Sequence, residues 1–467
     1  YEPLATAIAK GFAPTTPFPK PMVEVASRDL EAQLLTIAKP ATLEPCLVRS
    51  DKEAVAGVTG MAFAEGLKLN TSPGWPLCSL KPGSSKTDFI DTDPERSFVT
   101  LKPLLQELVS KEETQRTQGI VPFSVYADFG KDERLKPGKA MRLINGCPLQ
   151  QTIIWRKYCM DFFSAFQKAG LKVGSAIGIN PFGLGMNEMA QHLLSVGNSI
   201  LTGDYKNFGP TLHAECVVEL KRIINAWYRK HVQASAEEHI TAEIVRGTLI
   251  DSLINSYQIA GDLIYQTSQG APSGNPYTAP INTLVGLIYL RICWQIVFRN
   301  TPHSSMSAFH KHFRYVCYGD DFVGSISPQL LTSFNNNTMT TAFAEYGLIF
   351  TNPLKTGETL PCCKITEASF LKCTFAKHPA RDIYIAQLDM SVIRDIVSWC
   401  RQPVPDMMAY LKDTADQTLR FAHFYGESVY NEIAEKLQKW FAENDTYFPV
   451  TDWATMDSLL FDGEVEV

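Results

Sequence analysis

Tyr315-Val316-Cys317-Tyr318-Gly319-Asp320-Asp321-Phe322-Val323-Gly324 sets two short apolar runs around one glycine and two adjacent carboxylates. This pattern predicts a β-hairpin over 315–325 with acid at its tip. Side-by-side carboxylates repel, and at the end of a buried hairpin they are costly unless a cation compensates. Hard divalent cations take carboxylate oxygens, and Mg²⁺ usually shares them with substrate phosphates. The alternative is a solvated Gly-Asp-Asp turn, so the rest of the chain has to decide.

Upstream, a strand is expected over 198–202, leading into Gly203-Asp204. Two strand-end aspartates from distant segments are what two-metal phosphoryl transfer needs. One ion acidifies the attacking hydroxyl and both stabilise charge on phosphorus. Alone, Asp204 reads as a turn aspartate. Between the two acidic points, Gln269-Gly270-Ala271-Pro272-Ser273-Gly274-Asn275-Pro276 runs into a helix carrying Thr278 and Asn282. Four residues apart, Thr278 and Asn282 share a helix face. With Ser273 they offer polar groups that can read a ribose, and a helix N-terminus after a glycine loop suits phosphate. Alone, this element reads as ordinary N-capping.

The 467 residues are 45% hydrophobic and 20% charged, which predicts a large globular protein of two or three subdomains, and the mixed strand and helix patterns along the chain read as an α+β fold. A net charge of −6 argues against a uniformly basic nucleic-acid surface, but steering depends on local patches. The stretch KDERLKPGKAMR at 131–142 is one such patch. Eleven cysteines without a Cys-x-x-Cys spacing, Cys362 and Cys363 being neighbours, predict a reduced, intracellular setting. No signal peptide is expected. The apolar stretch 281–298 is broken by Asn282, Arg291 and Gln295 and follows Pro280, so it predicts a buried helix and no transmembrane segment.

Other helices are expected at 27–37, 97–111, 150–169, 186–196, 212–228, 236–254 and 329–346. Strands are expected before Lys355 and at 365–376. The stretch 391–444 reads as mostly helical, broken by Pro403 and Pro405.

In this order, Asp204, Ser273-Gly274 with Thr278 and Asn282, then Tyr318-Gly319-Asp320-Asp321, the chain resembles the RNA-dependent RNA polymerases of the picornavirus-like group. Thr71-Ser72-Pro73-Gly74-Trp75-Pro76 resembles the motif where template enters the fingers. Lys131-Asp132-Glu133 through Arg142-Leu143-Ile144 resembles the basic fingers motif over the nucleotide channel. Gly347-Leu348 through Lys355 resembles a palm motif with a proton-donating lysine, and Phe370-Leu371-Lys372 resembles the primer-grip turn.

The resemblance implies a closed right hand: fingers at 1–191 and 214–266, a palm of small antiparallel sheet and helices at 192–213 and 267–376, and a helical thumb at 377–467. It implies Mg²⁺ (with Mn²⁺ as a substitute) held by Asp204, Asp320, Asp321 and the Tyr205 carbonyl, and Lys355 as general acid. Lys131, Arg134, Lys136, Lys139 and Arg142 would line the nucleotide channel, with Arg142 on the triphosphate. Ser273, Gly274, Thr278 and Asn282 would meet the nucleotide, and Thr71, Ser72, Gly74 and Lys372 the RNA. Implied partners are RNA template and primer, nucleoside triphosphates, a tyrosine-bearing protein primer that the enzyme uridylylates and other viral replication proteins, on membrane-associated complexes in host cytoplasm.

Two departures stand out. Many relatives carry an aspartate for ribose selection five residues after the first metal aspartate. Here that place is Gly209, which with Lys206-Asn207-Phe208 most resembles the insect-infecting iflaviruses. Sugar selection is then expected to fall to Asn282 and its neighbours, the alternative being that a group such as Asn207 or Ser273 takes part. The basic loop leaves open whether Lys136 or Lys139 meets phosphate. Other readings are a reverse transcriptase, whose relatives usually lack this Ser-Gly loop with Thr and Asn at these spacings, and a non-catalytic RNA-binding scaffold, for which an intact acidic cluster would be a pointless cost.

Overall fold

The computed structural model describes residues 3–133, 141–351, 360–400 and 404–462. In chain order the elements that matter for function are α1 (Lys20–Ile37), β1 (Val125–Gly130), β2 (Leu143–Gly146), α2 (Leu149–Ala169), β3 (Ser199–Tyr205), α3 (Ala214–His231) and α4 (Ala236–Ile254). There follow β4 (Tyr257–Ala260), β5 (Leu263–Gln266), α5 (Thr278–Val297), β6 (Phe313–Tyr318), β7 (Asp321–Ile326), α6 (Asn336–Ala344) and β8 (Phe350–Thr351). The C-terminal part holds β9 (Ser369–Phe370), β10 (Cys373–Lys377), β11 (Tyr384–Leu388), α7 (Met407–Ala422), α8 (Glu427–Glu443) and α9 (Trp453–Phe461).

A central antiparallel sheet has the order β8-β3-β7-β6. Its register is fixed by shape. A Cβ on Gly203 would lie 1.7 Å from the Phe350 ring, so only glycine lets β8 close on β3. Behind the sheet runs α5, the long apolar stretch. It is long and apolar enough to cross a membrane, yet 83% of it is buried inside the protein. Arg291, fully buried, is the reason its polar break is tolerated. Its guanidinium donates to Asp29 on α1 at 2.7 Å, to Gln33 at 2.7 Å, to the Leu287 carbonyl at 2.9 Å and to the Tyr315 hydroxyl on β6 at 3.1 Å. A buried charge with an ion-pair partner and four of its five N–H donors engaged is stable, whereas one left unpaired is not.

A second sheet has the order β2-β1-β4-β5, with β1 and β4 parallel. Register puts Asp128, Asn145, Gln258 and Tyr265 on one face. Phe129, Ile144 and Ile264, all exposed, lie on the other. The N-terminal segment is pinned to α2 by buried Arg49, which holds Asp161 through two hydrogen bonds of 2.9 and 2.7 Å. All eleven cysteines are free.

Three expectations need correction. The helix expected at 97–111 is a strand, Val99–Leu101, followed by a helix that starts only at Pro103, because proline's fixed φ and missing N–H suit a first helical turn. The helix expected at 329–346 is a short 3-10 turn, Pro328–Leu330, and then α6. Asn335 starts α6 by accepting the N–H groups of Asn337 and Thr338 at 3.0 and 3.2 Å. The strands of the second sheet were not foreseen.

The C-terminal helices close on the sheet β9-β10-β11 through a buried cluster of His378, His423 and Asp457. Three such side chains resemble metal ligands, but the tautomer argues otherwise. His378 Nδ1 accepts the backbone N–H groups of Ala380 and Arg381 at 3.1 and 3.0 Å. Its proton therefore sits on Nε2, which faces Asp457 at 2.8 Å and has no lone pair to give. Arg381 donates to the other Asp457 oxygen at 2.6 Å. The cluster is a hydrogen-bonded hub. Burial, outweighing the nearby Asp457 charge, holds both histidines below their ordinary pKa of 6.5. Folding thus favours their neutral forms, and the unfolded chain takes up protons first as pH falls. Stability is full above about pH 6.5 and declines as pH drops toward the folded-state pKa values. The melting temperature is expected to fall between about pH 7.5 and 5.5, and His423→Gln to shrink that fall. A thermal melt at both pH values checks it.

Candidate active site

The register between β3 and β7 sets Asp204 opposite Asp321, one residue from the turn that carries Asp320. Asp204 and Asp321 are half-buried and Asp320 is exposed. The turn is held from beneath by α5. Gly319, at φ +60°, donates its N–H to the Thr283 hydroxyl at 2.9 Å. Thr283 is fully buried and donates in turn to the Ala279 carbonyl at 2.8 Å. One hydroxyl inside an apolar helix therefore fixes the tip of the acidic hairpin.

Tyr205 contributes no side chain to the centre. Its ring is buried against Phe208, Phe343 and Phe350, at centroid distances of 4.9, 5.2 and 4.9 Å. Its backbone is another matter. Lys206 donates its N–H to Ile349 at 2.9 Å on the β8 side, so alternation turns the Tyr205 carbonyl to the β7 side. There the ladder has ended at Asp321. The resulting donor set is three carboxylates and a carbonyl, all hard oxygens, and its chemistry fits Mg²⁺ or Mn²⁺.

Beside this centre lies a cavity of about 430 Å³ that brings together Arg142, Asn207, Gly209, Ser273, Thr278, Asn282 and Asp320. Arg142 is exposed and forked onto Glu133, with one bond of 2.6 Å. That pairing, more than the nearby Asp320 charge, raises the Arg142 pKa. Ser273 is interlocked with Asn145. Its Oγ accepts the Asn145 N–H at 3.0 Å, and its own N–H donates to Asn145 Oδ1 at 3.0 Å. Gly274 must be glycine, since a Cβ there would lie 2.1 Å from the Asn145 carbonyl. The Thr278 hydroxyl is engaged inside its own loop, within 3.2 Å of the carbonyls of Pro272, Ser273 and Asn275. Asn282 differs: its Oδ1 is buried and has no hydrogen-bond partner. Its Nδ2 lies 3.9 Å from where a side chain on Gly209 would begin.

Of the remaining expected residues, Thr71, Ser72, Gly74, Lys372 and Lys131 are not among those lining the cavity. Thr71 and Ser72 are exposed, and Gly74, at φ +71°, fits against the Cys147 carbonyl, 2.5 Å from where its Cβ would be. Lys372 is exposed in a two-residue turn between β9 and β10, where Leu371 and Lys372 both take positive φ, +52° and +66°. Lys131 is half-buried and donates its backbone N–H to the Arg142 carbonyl at 2.8 Å. Arg134, Lys136, Lys139 and Lys355 lie outside the described residues. Thr283, Asn145 and Glu133 escaped the sequence reading. Only the oddity of a threonine deep in an apolar helix could have marked the first.

Residues 12–440 match the family described as viral RNA-dependent RNA polymerase. The chain belongs to that family. It is 30% identical to the genome polyprotein of Deformed wing virus, an iflavirus, over 98% of this chain and 16% of that polyprotein. It is 31% identical to the genome polyprotein of Ectropis obliqua picorna-like virus, over 96% of this chain and 14% of that one. The chain thus spans only a small part of these relatives. Among solved structures, the Sicinivirus 3Dpol RNA dependent RNA polymerase superposes with a TM-score of 0.78 at 18% identity, covering 98% of this chain and 89% of that chain. The fold is the right-hand polymerase fold, and the likeness to iflaviruses read from Gly209 agrees with the first relative.

Thr283→Val keeps the shape of residue 283 and strips the Gly319 N–H of its partner. An unmade buried hydrogen bond costs about 1–3 kcal/mol, so nucleotide incorporation by this chain is expected to fall by about 5- to 150-fold with the fold retained. Single-turnover incorporation and circular dichroism on the same preparation check it.

Proposed function

We propose that this chain copies a positive-strand RNA genome by joining nucleoside monophosphates to a primer 3′-hydroxyl, with two Mg²⁺ ions at the acidic centre. The observation that supports this best is the meeting of Asp204, Asp320 and Asp321 beside a cavity lined by Arg142 and Asn282. Asp204, Asp320, Asp321 and the Tyr205 carbonyl would hold the metal. When bound, it supplies acidification of the attacking hydroxyl and charge stabilisation at phosphorus. Arg142 exchanges Glu133 for the triphosphate, its planar fork fitting either. The Asn282 amide, which lines the cavity, is assigned the hydrogen bond to the ribose hydroxyl that deoxyribose lacks. Lys355 is assigned the proton for departing pyrophosphate.

The same proposal takes the fingers as 1–191 and 214–266, the palm as 192–213 and 267–376, and the thumb as 377–467. Thr71, Ser72, Gly74 and Lys372 are assigned to RNA. It includes a protein primer that is uridylylated, other viral replication proteins as partners, and work on membrane-associated complexes in host cytoplasm.

The test is labelled UTP incorporation on poly(A) with an oligo(U) primer and Mg²⁺. Asp320→Ala is expected to reduce incorporation by at least about a thousandfold, since ions at such centres supply several kcal/mol. Incorporation equal to that of the unsubstituted protein would sink the assignment. Asn282→Ala is expected to cut the preference for UTP over dTTP by about 10- to 100-fold, the value of one buried hydrogen bond. The ratio of kcat/KM for the two nucleotides measures it.

A further inference from the structure

The cavity lining includes part of a polar network that ends on Ser273. Asn145 is its fixed point. Because the Ser273 backbone N–H can only donate, the atom it meets at 3.0 Å is Asn145 Oδ1. Asn145 Nδ2 then faces the other way, with its two hydrogens directed to Asp128 Oδ1 at 2.6 Å and Gln258 Oε1 at 3.0 Å. The Tyr265 hydroxyl touches both Gln258 Oε1, at 2.7 Å, and Asp128 Oδ2. It has one hydrogen for these two contacts. Gln258 Oε1 can only accept, so Tyr265 must donate there, and the proton between Tyr265 and Asp128 must come from Asp128. With Asp128 ionised, one of the two close oxygen pairs would have no hydrogen between them, a costly arrangement at a residue only 9% exposed.

We propose that Asp128 acts as a neutral acid and is the positioning residue that fixes Asn145, and through it Ser273, for recognition of the nucleotide sugar. Ser273 Oγ accepts one hydrogen bond, from the Asn145 N–H, and keeps a second lone pair for a sugar hydroxyl. Gly209, which also lines the cavity, offers no side chain to share that task. Burial raises the Asp128 pKa against the hydrogen bonds from Tyr265 and Asn145, which agrees with the proton count. Asp128 touches no reacting atom. Its effect passes through two other residues, as in other sites where an outer layer orients the groups that bind.

The inference rests on the polymerase reading, and the experiment separates the two. UTP and dTTP incorporation on poly(A)·oligo(U) are compared for the unsubstituted protein, Asp128→Asn, Asp128→Ala and Tyr265→Phe. Asparagine can accept from Asn145 and donate to Tyr265 as the neutral acid does, so Asp128→Asn is expected to keep the UTP preference within about threefold. Asp128→Ala is expected to lose at least about tenfold of it, mainly through a higher KM for UTP. Tyr265→Phe, at a half-buried position where folding is less at stake, is expected to lose several-fold. The inference is overturned if Asp128→Asn is as impaired as Asp128→Ala, which would mean a carboxylate is required. It is also overturned if Tyr265→Phe and a folded Asp128→Ala both leave the preference unchanged. An unsubstituted protein that incorporates neither nucleotide overturns the polymerase reading and this inference with it.

Discussion

The antiparallel register of β3 against β7 is the constraint on which the acidic centre depends. A slip of one residue would send Asp204 to the opposite face of the sheet. Gly203 prevents this, because the Phe350 ring occupies the space a side chain would need. From behind, α5 adds a second constraint. Thr283 holds the Gly319 turn, and its neighbour Asn282 reaches the cavity from the same helical turn. Arg291 then locks α5 to α1 and β6. The turn beside Asp320 and the Asn282 side chain are therefore both anchored on one buried helix, which fixes their separation. For a reaction needing reacting atoms within about 3–3.5 Å, that rigidity decides whether the groups act together.

What could be read in the sequence follows from how local each signal is. The hairpin was legible because its strands, turn glycine and carboxylates are contiguous. The helix Ala236–Ile254 was placed with its observed ends from its periodicity alone, and the structure shows Ser235 and Glu238 forming a capping box where it begins. The second sheet was missed because β1 is buried over its first four residues and shows no alternation. Its parallel partner β4 lies far along the chain. The Asp128 network was beyond reach for the same reason: its members stand on four strands, and only the register joins them. Asn282 was singled out from spacing, but that its Oδ1 would be the orphaned acceptor could be learned only from the packing.

The net charge of −6 looked awkward for a protein proposed to handle polyanions, and the Arg142–Glu133 pair suggests how the two are reconciled. The segment read as a basic loop carries its own acid, and in this structure that acid occupies the guanidinium. The Arg142 side chain is 59% exposed, and exposed ion pairs are worth only about 0–1 kcal/mol. A triphosphate offers more charge and the same forked geometry, so displacing Glu133 costs little while Arg142 is already extended. The pairing offsets the charge of the guanidinium without committing the arginine. Local arrangement, and not total charge, therefore governs what this cavity can hold.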